Sequence, residues 1–404
     1  MAEAATKATA LWVVRRLRKA GFQALLAGGC VRDMLLGRRS TDYDVATDAT
    51  PRQVKRLFGH VLLVGAKFGV AMVMHRKRRV EVATFRSDLS YSDGRRPDGV
   101  RFSSPRADAL RRDFTINGMF YDPAGGRVID YVGGRRDLVA GVVRTIGPAD
   151  ERFAEDYLRM LRAVRFAVRL GFRIDRATAA AVRTHAGKIV AISGERVFDE
   201  LSKMLSPASA PEALERMGAL GLARPVFPEL FSAAGTWGAA LERVRLAAGR
   251  KDLPLTLGAL LGDLPAEAIG RIIRRWGASN DLREALKWLA RHRDAWRAAA
   301  EMPLADFRRL AGHKHFERLR ALWRIRERLA TGGGRCSGRA AGRLREIPGR
   351  VALPAPLVTG ADLLEMHVPE GPELGRLLRA VYDAQLNGRI HTRAEARRLA
   401  TDLM

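Results

Sequence analysis

The stretch TDYDVAT, residues 41–47, puts Asp42 and Asp44 one residue apart, ahead of an apolar valine. In a strand, alternate residues share a face, so this spacing aims two carboxylates at one point. Like charges held that close repel, and a cation between them relieves the repulsion. A third carboxylate, Glu81, stands inside the apolar run RVEVATF, where burying an unpaired charge is costly. Oxygens converging from neighbouring strands suit Mg²⁺, a hard cation that takes carboxylates together with phosphates. One or two such ions can activate an attacking hydroxyl and hold a triphosphate for in-line displacement. Taken alone, Asp-x-Asp fits a polar loop equally well, so the neighbouring segments decide.

Two of those segments could hold phosphate. In LLAGGCVRDMLLG, Gly28 and Gly29 sit between a strand and a helix start. Glycines there let backbone N–H groups approach phosphate, and a helix N-terminus favours its charge. Arg32 follows one turn later, able to clamp a triphosphate. In ALRRDFTINGMFYD, Arg111, Arg112 and Asp113 precede an expected strand. Further on, ERFAEDYLRMLRAVRFAVRLGF reads as one long helix, with Tyr157, Leu161, Val164 and Val168 as its buried stripe. Measured from Asp156, the helical wheel turns Arg159 and Arg162 away from that stripe. A solvated basic face fits that geometry as well as a cleft does.

The elements that must position these residues follow from the change of period along the chain. FQALLAGG, YDVAT, HVLLVG, GVAMVMH, RVEVATF, TINGMFYD and GRVIDYVGG read as strands. VRDMLLG and PRQVKRLF read as short helices, the second with Pro51 in its first turn. ATALWVVRRLRKAGF is an amphipathic helix stopped by Gly21, with an apolar core too short for a signal peptide. Residues 1–148 therefore form one sheet covered by helices. From residue 149 nearly everything is helical, including LREALKWLARHRDAWRAA and HFERLRALWRIRERLA, whereas TGGGRCSGRAAGR predicts an exposed loop. The fold class is α+β, a mixed head followed by an all-helical remainder.

Charge narrows the partner. Lys plus Arg number 71 against 44 Asp plus Glu, a formal +27. Such a field attracts polyanions, either nucleic acid or an acidic membrane. No apolar run is long enough to span a bilayer, and no segment beyond the charge itself supports a lipid partner. The two cysteines, Cys30 and Cys336, cannot build a disulfide framework or a Cys-rich metal site, and a reducing cytoplasm fits.

The motifs GGCVRDMLLG, DYDVAT, EVATFR, RRDFTING and AEDYLRMLRAVRFA, in this order, resemble the class II tRNA nucleotidyltransferase and bacterial poly(A) polymerase family. The resemblance is strong over residues 22–200, and GRIHTRAEARRLA is similar to the family's tail. Gly118, in TING, stands where many members have alanine. The resemblance implies a polymerase-beta-like catalytic head over 1–148, a neck with a nucleotide-selecting helix over 149–205, and a tRNA-binding body and tail over 206–404. It implies that Asp42 and Asp44 bind catalytic Mg²⁺, with Glu81 steering a metal or taking a proton. Gly28, Gly29, Arg32 and the Arg111–Arg112 pair, Arg112 foremost, would hold the nucleotide. Glu155, Asp156 and Arg159 match the family's EDxxR motif, followed by Arg162 and Arg165, which would balance phosphate charge.

In that motif the protein itself stands in for a base-pairing template. Cytosine and adenine both present an amino donor beside a ring-nitrogen acceptor. Asp156 can accept from the first and Arg159 can donate to the second. Guanine and uracil reverse both positions and would leave buried groups unpaired. The implied reaction adds CCA to the 3′ end of tRNA from CTP and ATP, releasing pyrophosphate. The alternatives are a poly(A) polymerase, an enzyme adding only CC or only A, and a non-catalytic RNA-binding protein. FRSDLSYSDGRRPDGVRF, residues 85–102, resembles the flexible loop that CCA-adding members use for the switch to ATP, and favours CCA addition. The chain has no His-Asp dipeptide, so the phosphohydrolase domain of some relatives is not expected.

Overall fold

A computed structural model describes residues 2–63, 68–88, 99–206, 208–232, 236–347 and 353–404. The chain divides into two compact units, one of residues 1–232 with 275–277, the other of residues 233–274 with 278–404.

The first unit opens with helix α1 (Ala2–Lys19), which ends just before Gly21, whose φ is +85°. Then come β1 (Ala24–Ala27), α2 (Gly29–Leu35), β2 (Asp44–Thr47) and α3 (Pro51–Leu57). A capping box starts α3. Thr50 Oγ1 accepts from Gln53 N, the Gln53 side chain accepts from Thr50 N, and Pro51 sits in the first turn. Strands β3 (Val61–Leu62), β4 (Val70–His75) and β5 (Arg78–Thr84) complete one half of the sheet. A short ladder of β6 (Arg86–Asp88) and β7 (Val100–Phe102) leads to α4 (Pro105–Leu110). The expected loop over 85–102 is thus seen only at its paired ends, and residues 89–98 lie outside the described residues. Strands β8 (Phe120–Asp122) and β9 (Arg127–Ile129) follow, then α5 (Gly134–Val139) and β10 (Val142–Val143).

The seven-stranded sheet has the order β3-β4-β5-β2-β1-β8-β9. Its one parallel pair is β2–β5, with Val45 beside Val82 and Ala46 beside Ala83. The two faces separate by residue parity. Leu26, Val45, Val80 and Val82 pack with Val13, Val14 and Leu17 of α1. Leu25, Ala27, Ala46 and Phe85 point the other way and pack with Ala109 and Phe120. Asp44 and Glu81 share the parity of this second face, away from α1. The TINGMFYD segment is only partly strand. Residues Thr115–Asn117 form a 3₁₀ turn, and β8 starts at Phe120. Gly118 in that turn has a packing reason, since a methyl there would lie 2.7 Å from Val132 Cγ2 and 2.9 Å from Ile146 Cδ1. Those larger neighbours occupy the space an alanine would need.

Beyond the sheet, the expected single helix over 151–172 is two helices, α6 (Ala149–Glu155) and α7 (Leu158–Leu170). Asp156 causes the break. Its backbone is extended, with φ −159° and ψ 102°, and its carboxylate Oδ1 accepts from Leu158 N at 3.1 Å. Aspartate competes with the helix for backbone donors, and here it caps the second segment. Leu161, Val164 and Val168 are buried as expected, while Tyr157, at the break, is only half-buried. A two-residue strand, β11 (Arg173–Ile174), pairs parallel with β10, so the region past residue 149 is not wholly helical. Helices α8 (Arg176–His185) and α9 (Gly194–Leu205) follow, α9 packing on α7.

All regular secondary structure among the described residues of the second unit is helical, from Thr236–Ala247 to the C-terminal Arg393–Asp402. The glycine-rich segment expected to be a loop instead contains the helix Arg335–Glu346. The buried carboxylate of Glu327 accepts from the backbone N–H groups of Cys336 (2.6 Å) and Ser337 (2.8 Å) and so caps its start. Arg343 donates to the carbonyls of Ala299 and Met302, and Ala340 is buried. Tertiary anchoring outweighs the low helix propensity of the glycines. Cys30 and Cys336 are both free thiols. No helix among the described residues is long and apolar enough to cross a membrane.

Candidate active site

A cavity of about 640 Å³ opens on the sheet face away from α1. Its lining joins Gly28, Gly29 and Arg32, Asp42, Asp44 and Glu81, Arg111 and Arg112, and Asp156, Arg159, Arg162 and Arg165, whereas Glu155 of the EDxxR motif is not in it. That size suits a nucleotide.

Sheet register brings the acids together. Asp44 is the first residue of β2 and lies opposite Ala27, the last of β1, so the Gly28–Gly29 turn begins beside it. One step before the Val45–Val82 pair, Asp44 and Glu81 are neighbours across the parallel ladder. Asp42 stands just ahead of the strand, exposed. Glu81 is not a buried charge, as the apolar run suggested. In β5 the residues Val80, Val82 and Thr84 are buried, while Arg79 and Glu81 face out of the opposite side. Burial and then the Glu81 charge push the Asp44 carboxyl up to about 6. Asp42 adds to this and Arg112 opposes it. Among the described residues none of the three acids has an ion-pair partner, and no group of three Asp, Glu, His or Cys side chains forms a ready metal site. The donor set is still the right one for a hard cation. It offers carboxylate oxygens whose mutual repulsion a cation would relieve, and it leaves coordination positions for water or phosphate.

The arginines are held by partners that the sequence analysis did not single out. Buried Arg32 donates from Nε to Asp33 at 2.8 Å and from Nη1 to Asn117 Oδ1 at 2.6 Å. Burial lowers its proton affinity, and Asp33 restores part of it. Arg111 and Arg112 both donate to Asp108, with Nη2 at 2.6 Å and 2.9 Å from its two oxygens. Burial raises the Asp108 carboxyl, but Arg112 and Arg111 outweigh it, so it titrates below the ordinary range. Asp108, on α4, was readable from its place three and four residues before the two arginines that follow the helix. Gly28 is required where it stands. Its φ is +73°, and a Cβ there would lie 3.0 Å from Arg112 Nη1.

The α7 arginines lie on the cavity side, as a helix face turned away from the apolar stripe and towards a cleft requires. Arg159 faces the cavity rather than open solvent. It is only 8% exposed, donating from Nη1 to Glu155 and to the Arg152 carbonyl. Asp156 Oδ2 accepts from Arg196 Nη2 at 2.7 Å. Arg162 makes a two-pronged contact with Asp113 Oδ2, from Nε at 2.9 Å and Nη2 at 2.7 Å. Arg165 Nε reaches Glu200 at 2.5 Å. Arg32, Arg162 and Arg165 all surround the ring of Phe166, at 5.2, 5.4 and 4.3 Å from its centre, a cation–π cluster. Asn117, Phe166 and Arg169 also line the cavity. The i, i+4 spacing of Arg162 and Phe166, and of Arg165 and Arg169, was the available signal.

The model of the Poly A polymerase head domain matches residues 24–144, and that of the probable RNA and SrmB-binding site of polymerase A matches residues 171–233. A CCA-adding enzyme from Latilactobacillus sakei is 38% identical over 286 residues, covering 69% of this chain and 70% of that protein. The chain belongs to the tRNA nucleotidyltransferase and bacterial poly(A) polymerase family. Some relatives are matched over less of their length. Poly(A) polymerase I of Salmonella typhi is 43% identical over 232 residues, 55% of this chain and 50% of that protein. The chain thus spans about half the length of the poly(A) polymerases it matches. The crystal structure of the Bacillus stearothermophilus CCA-adding enzyme in complex with CTP superimposes with a TM-score of 0.72 at 29% identity, covering 97% of this chain and 96% of that one.

Proposed function

We propose that this nucleotidyltransferase adds CCA to the 3′ end of tRNA, using CTP and ATP and releasing pyrophosphate. The observation that carries this reading is the single cavity joining the Asp42–Asp44–Glu81 edge of the sheet to the Asp156–Arg159 start of α7. Support comes from the CCA-adding relative that the chain matches over most of its length and from the CTP-bound structure it resembles.

Asp42 and Asp44 would hold Mg²⁺, and Glu81, adjacent to Asp44 in register, would supply the third carboxylate. Bound there, the ion supplies Lewis-acid polarisation of the phosphate and of the attacking hydroxyl. The chain's own groups do the rest. Arg32, Arg111 and Arg112, preorganised by Asp33, Asn117 and Asp108, hold the triphosphate without having to be reoriented at the moment of reaction. Arg162 and Arg165 add positive charge, aimed by Asp113 and Glu200. Asp156 and Arg159 read the base. Arg196 fixes the Asp156 carboxylate and Glu155 fixes Arg159, so each presents its remaining hydrogen-bonding capacity in one orientation. The RNA 3′-hydroxyl attacks the α-phosphate, its proton leaves to a carboxylate or solvent, and the bond to pyrophosphate breaks.

The raised Asp44 carboxyl makes metal binding pH-dependent. Its ordinary value is 3.8 and its folded value about 6. Between these, the folded protein keeps a proton that the unfolded chain has lost, so the metal-free protein gains stability from this group as pH falls from about 6 towards 4. A divalent ion needs the ionised carboxylate. Mg²⁺ affinity should therefore level off above pH 6 and fall about ten-fold per pH unit below it, as one competing proton requires. Calorimetric titration of Mg²⁺ across that range checks this, and an affinity flat down to pH 5 would contradict it.

The functional test offers tRNA lacking its 3′ CCA, with CTP and ATP separately and together. Ordered addition of C, C and A, followed by arrest, is the expected product. Long adenosine tracts on unrelated RNA identify a poly(A) polymerase instead, and C-only or A-only products a divided activity.

A further inference from the structure

The turn between β4 and β5 breaks a local rule. Val73 pairs with Val80, Met74 with Arg79 and His75 with Arg78, which leaves Arg76 and Lys77 as a two-residue hairpin loop. Both have positive φ, 47° and 61°. A turn of this kind is filled at least cost by Asn-Gly, because bulky side chains strain the left-handed region. Three non-glycine residues have positive φ among the described residues, and two of them sit side by side here. The chain thus keeps two long cations where glycine and asparagine fit best. With their neighbours they make the run HRKRR, residues 75–79.

The tip is anchored and its charges are open. His75 stacks on Trp12 at 3.9 Å between ring centres, and Arg78 Nη1 donates to Thr6 Oγ1 at 3.1 Å. Arg76, Lys77 and Arg79 are exposed, with no ion-pair partner among the described residues. Register also fixes where they are. Glu81 lies beside Asp44 across the parallel ladder, and Arg79 is two residues earlier on the same face. That is about 7 Å along the strand from Glu81. The basic turn continues the hairpin that carries Glu81, about 13 Å along it from that carboxylate, within a few nucleotides' reach of the point at which the RNA 3′-hydroxyl must arrive.

Resting on the reading of this site as an RNA nucleotidyltransferase, we infer that the hairpin tip of Arg76, Lys77 and Arg79 grips backbone phosphates of the acceptor RNA near its 3′ end. Backbone strain kept at an exposed cationic turn is what a binding function would preserve against stability. Phosphate contacts position a strand without reading its sequence, which suits a terminus whose last bases change with each addition.

The test uses the full chain and two variants, R76N/K77G and R79Q. The first relaxes the turn and removes two charges, and the second removes one charge without touching the turn. R76N/K77G should melt about 2–4 °C higher than the parent. It should bind CCA-lacking tRNA about ten-fold more weakly, with the log–log salt dependence shallower by about 1.5. R79Q should bind RNA several-fold more weakly at an unchanged melting temperature. The KM for CTP should stay at the parent value in both. RNA affinity and salt slope equal to the parent's in both variants would overturn the inference, as would a raised KM for CTP with RNA affinity intact. Incorporation of CTP by the parent separates the two levels. An active parent with unaffected variants overturns the tip alone, whereas a parent that binds no RNA overturns both.

Discussion

Asp44→Ala is expected to lower nucleotide incorporation by at least about a thousand-fold while leaving RNA affinity within two-fold of the parent. The size follows from losing several kcal/mol of transition-state charge stabilisation at the phosphate. The residue's placement makes the effect specific. Asp44 heads β2 with no ion-pair partner among the described residues, so its removal orphans no buried cation. It even relieves repulsion from Glu81 and Asp42, and the variant should fold at least as well as the parent. Labelled CTP incorporation and filter binding of tRNA read the two quantities. Residual turnover within ten-fold of the parent would remove the carboxylate from the chemistry.

The second large effect concerns base choice. Asp156→Asn keeps the side chain's shape and its oxygen for the Leu158 N–H, but it puts an amide donor where the carboxylate accepts. Arg159→Ala removes the opposing donor. A site built to pair with a particular donor and acceptor rejects the reversed arrangement by about 10⁴, because its own buried groups are left unsatisfied. Both variants should lose most of that discrimination, so that UTP or GTP incorporates within about a hundred-fold of CTP. The parent's preference is measured by the ratio of kcat/KM for each nucleotide on the same RNA. Arg159→Ala also strands Glu155 beside Arg152, a partly exposed pair. Its stability loss should therefore be small next to its loss of selectivity.

Local signals in the sequence went a long way. The strands flanking Asp44 and Glu81, the helix ending before Gly21 and the Pro51 helix start all depend on residues within a few positions of each other. So did the prospect that Arg32 and the Asp pair meet, given the turn at Gly28. The misreadings came from competition between local and distant forces. A continuous apolar period hid the break at Asp156, where one carboxylate outbids the helix for a backbone donor. The glycine-rich segment became helical because Glu327 and Arg343 tie it down. Glu81 was taken for a buried charge although the alternation of RVEVATF already put it on the open face. The side chains that aim the site lay beyond reach. Asp113 meets Arg162 across 49 residues, and Arg196 meets Asp156 across 40. No periodicity encodes such pairs.

At the centre stands the idea that amino-acid side chains, not a nucleic-acid strand, choose the incoming base. Calorimetric titration of the RNA-free protein with each of the four nucleoside triphosphates, in Mg²⁺, tests it most directly. CTP and ATP should bind, while GTP and UTP bind at least a hundred-fold more weakly. Equal affinity for all four would contradict the account.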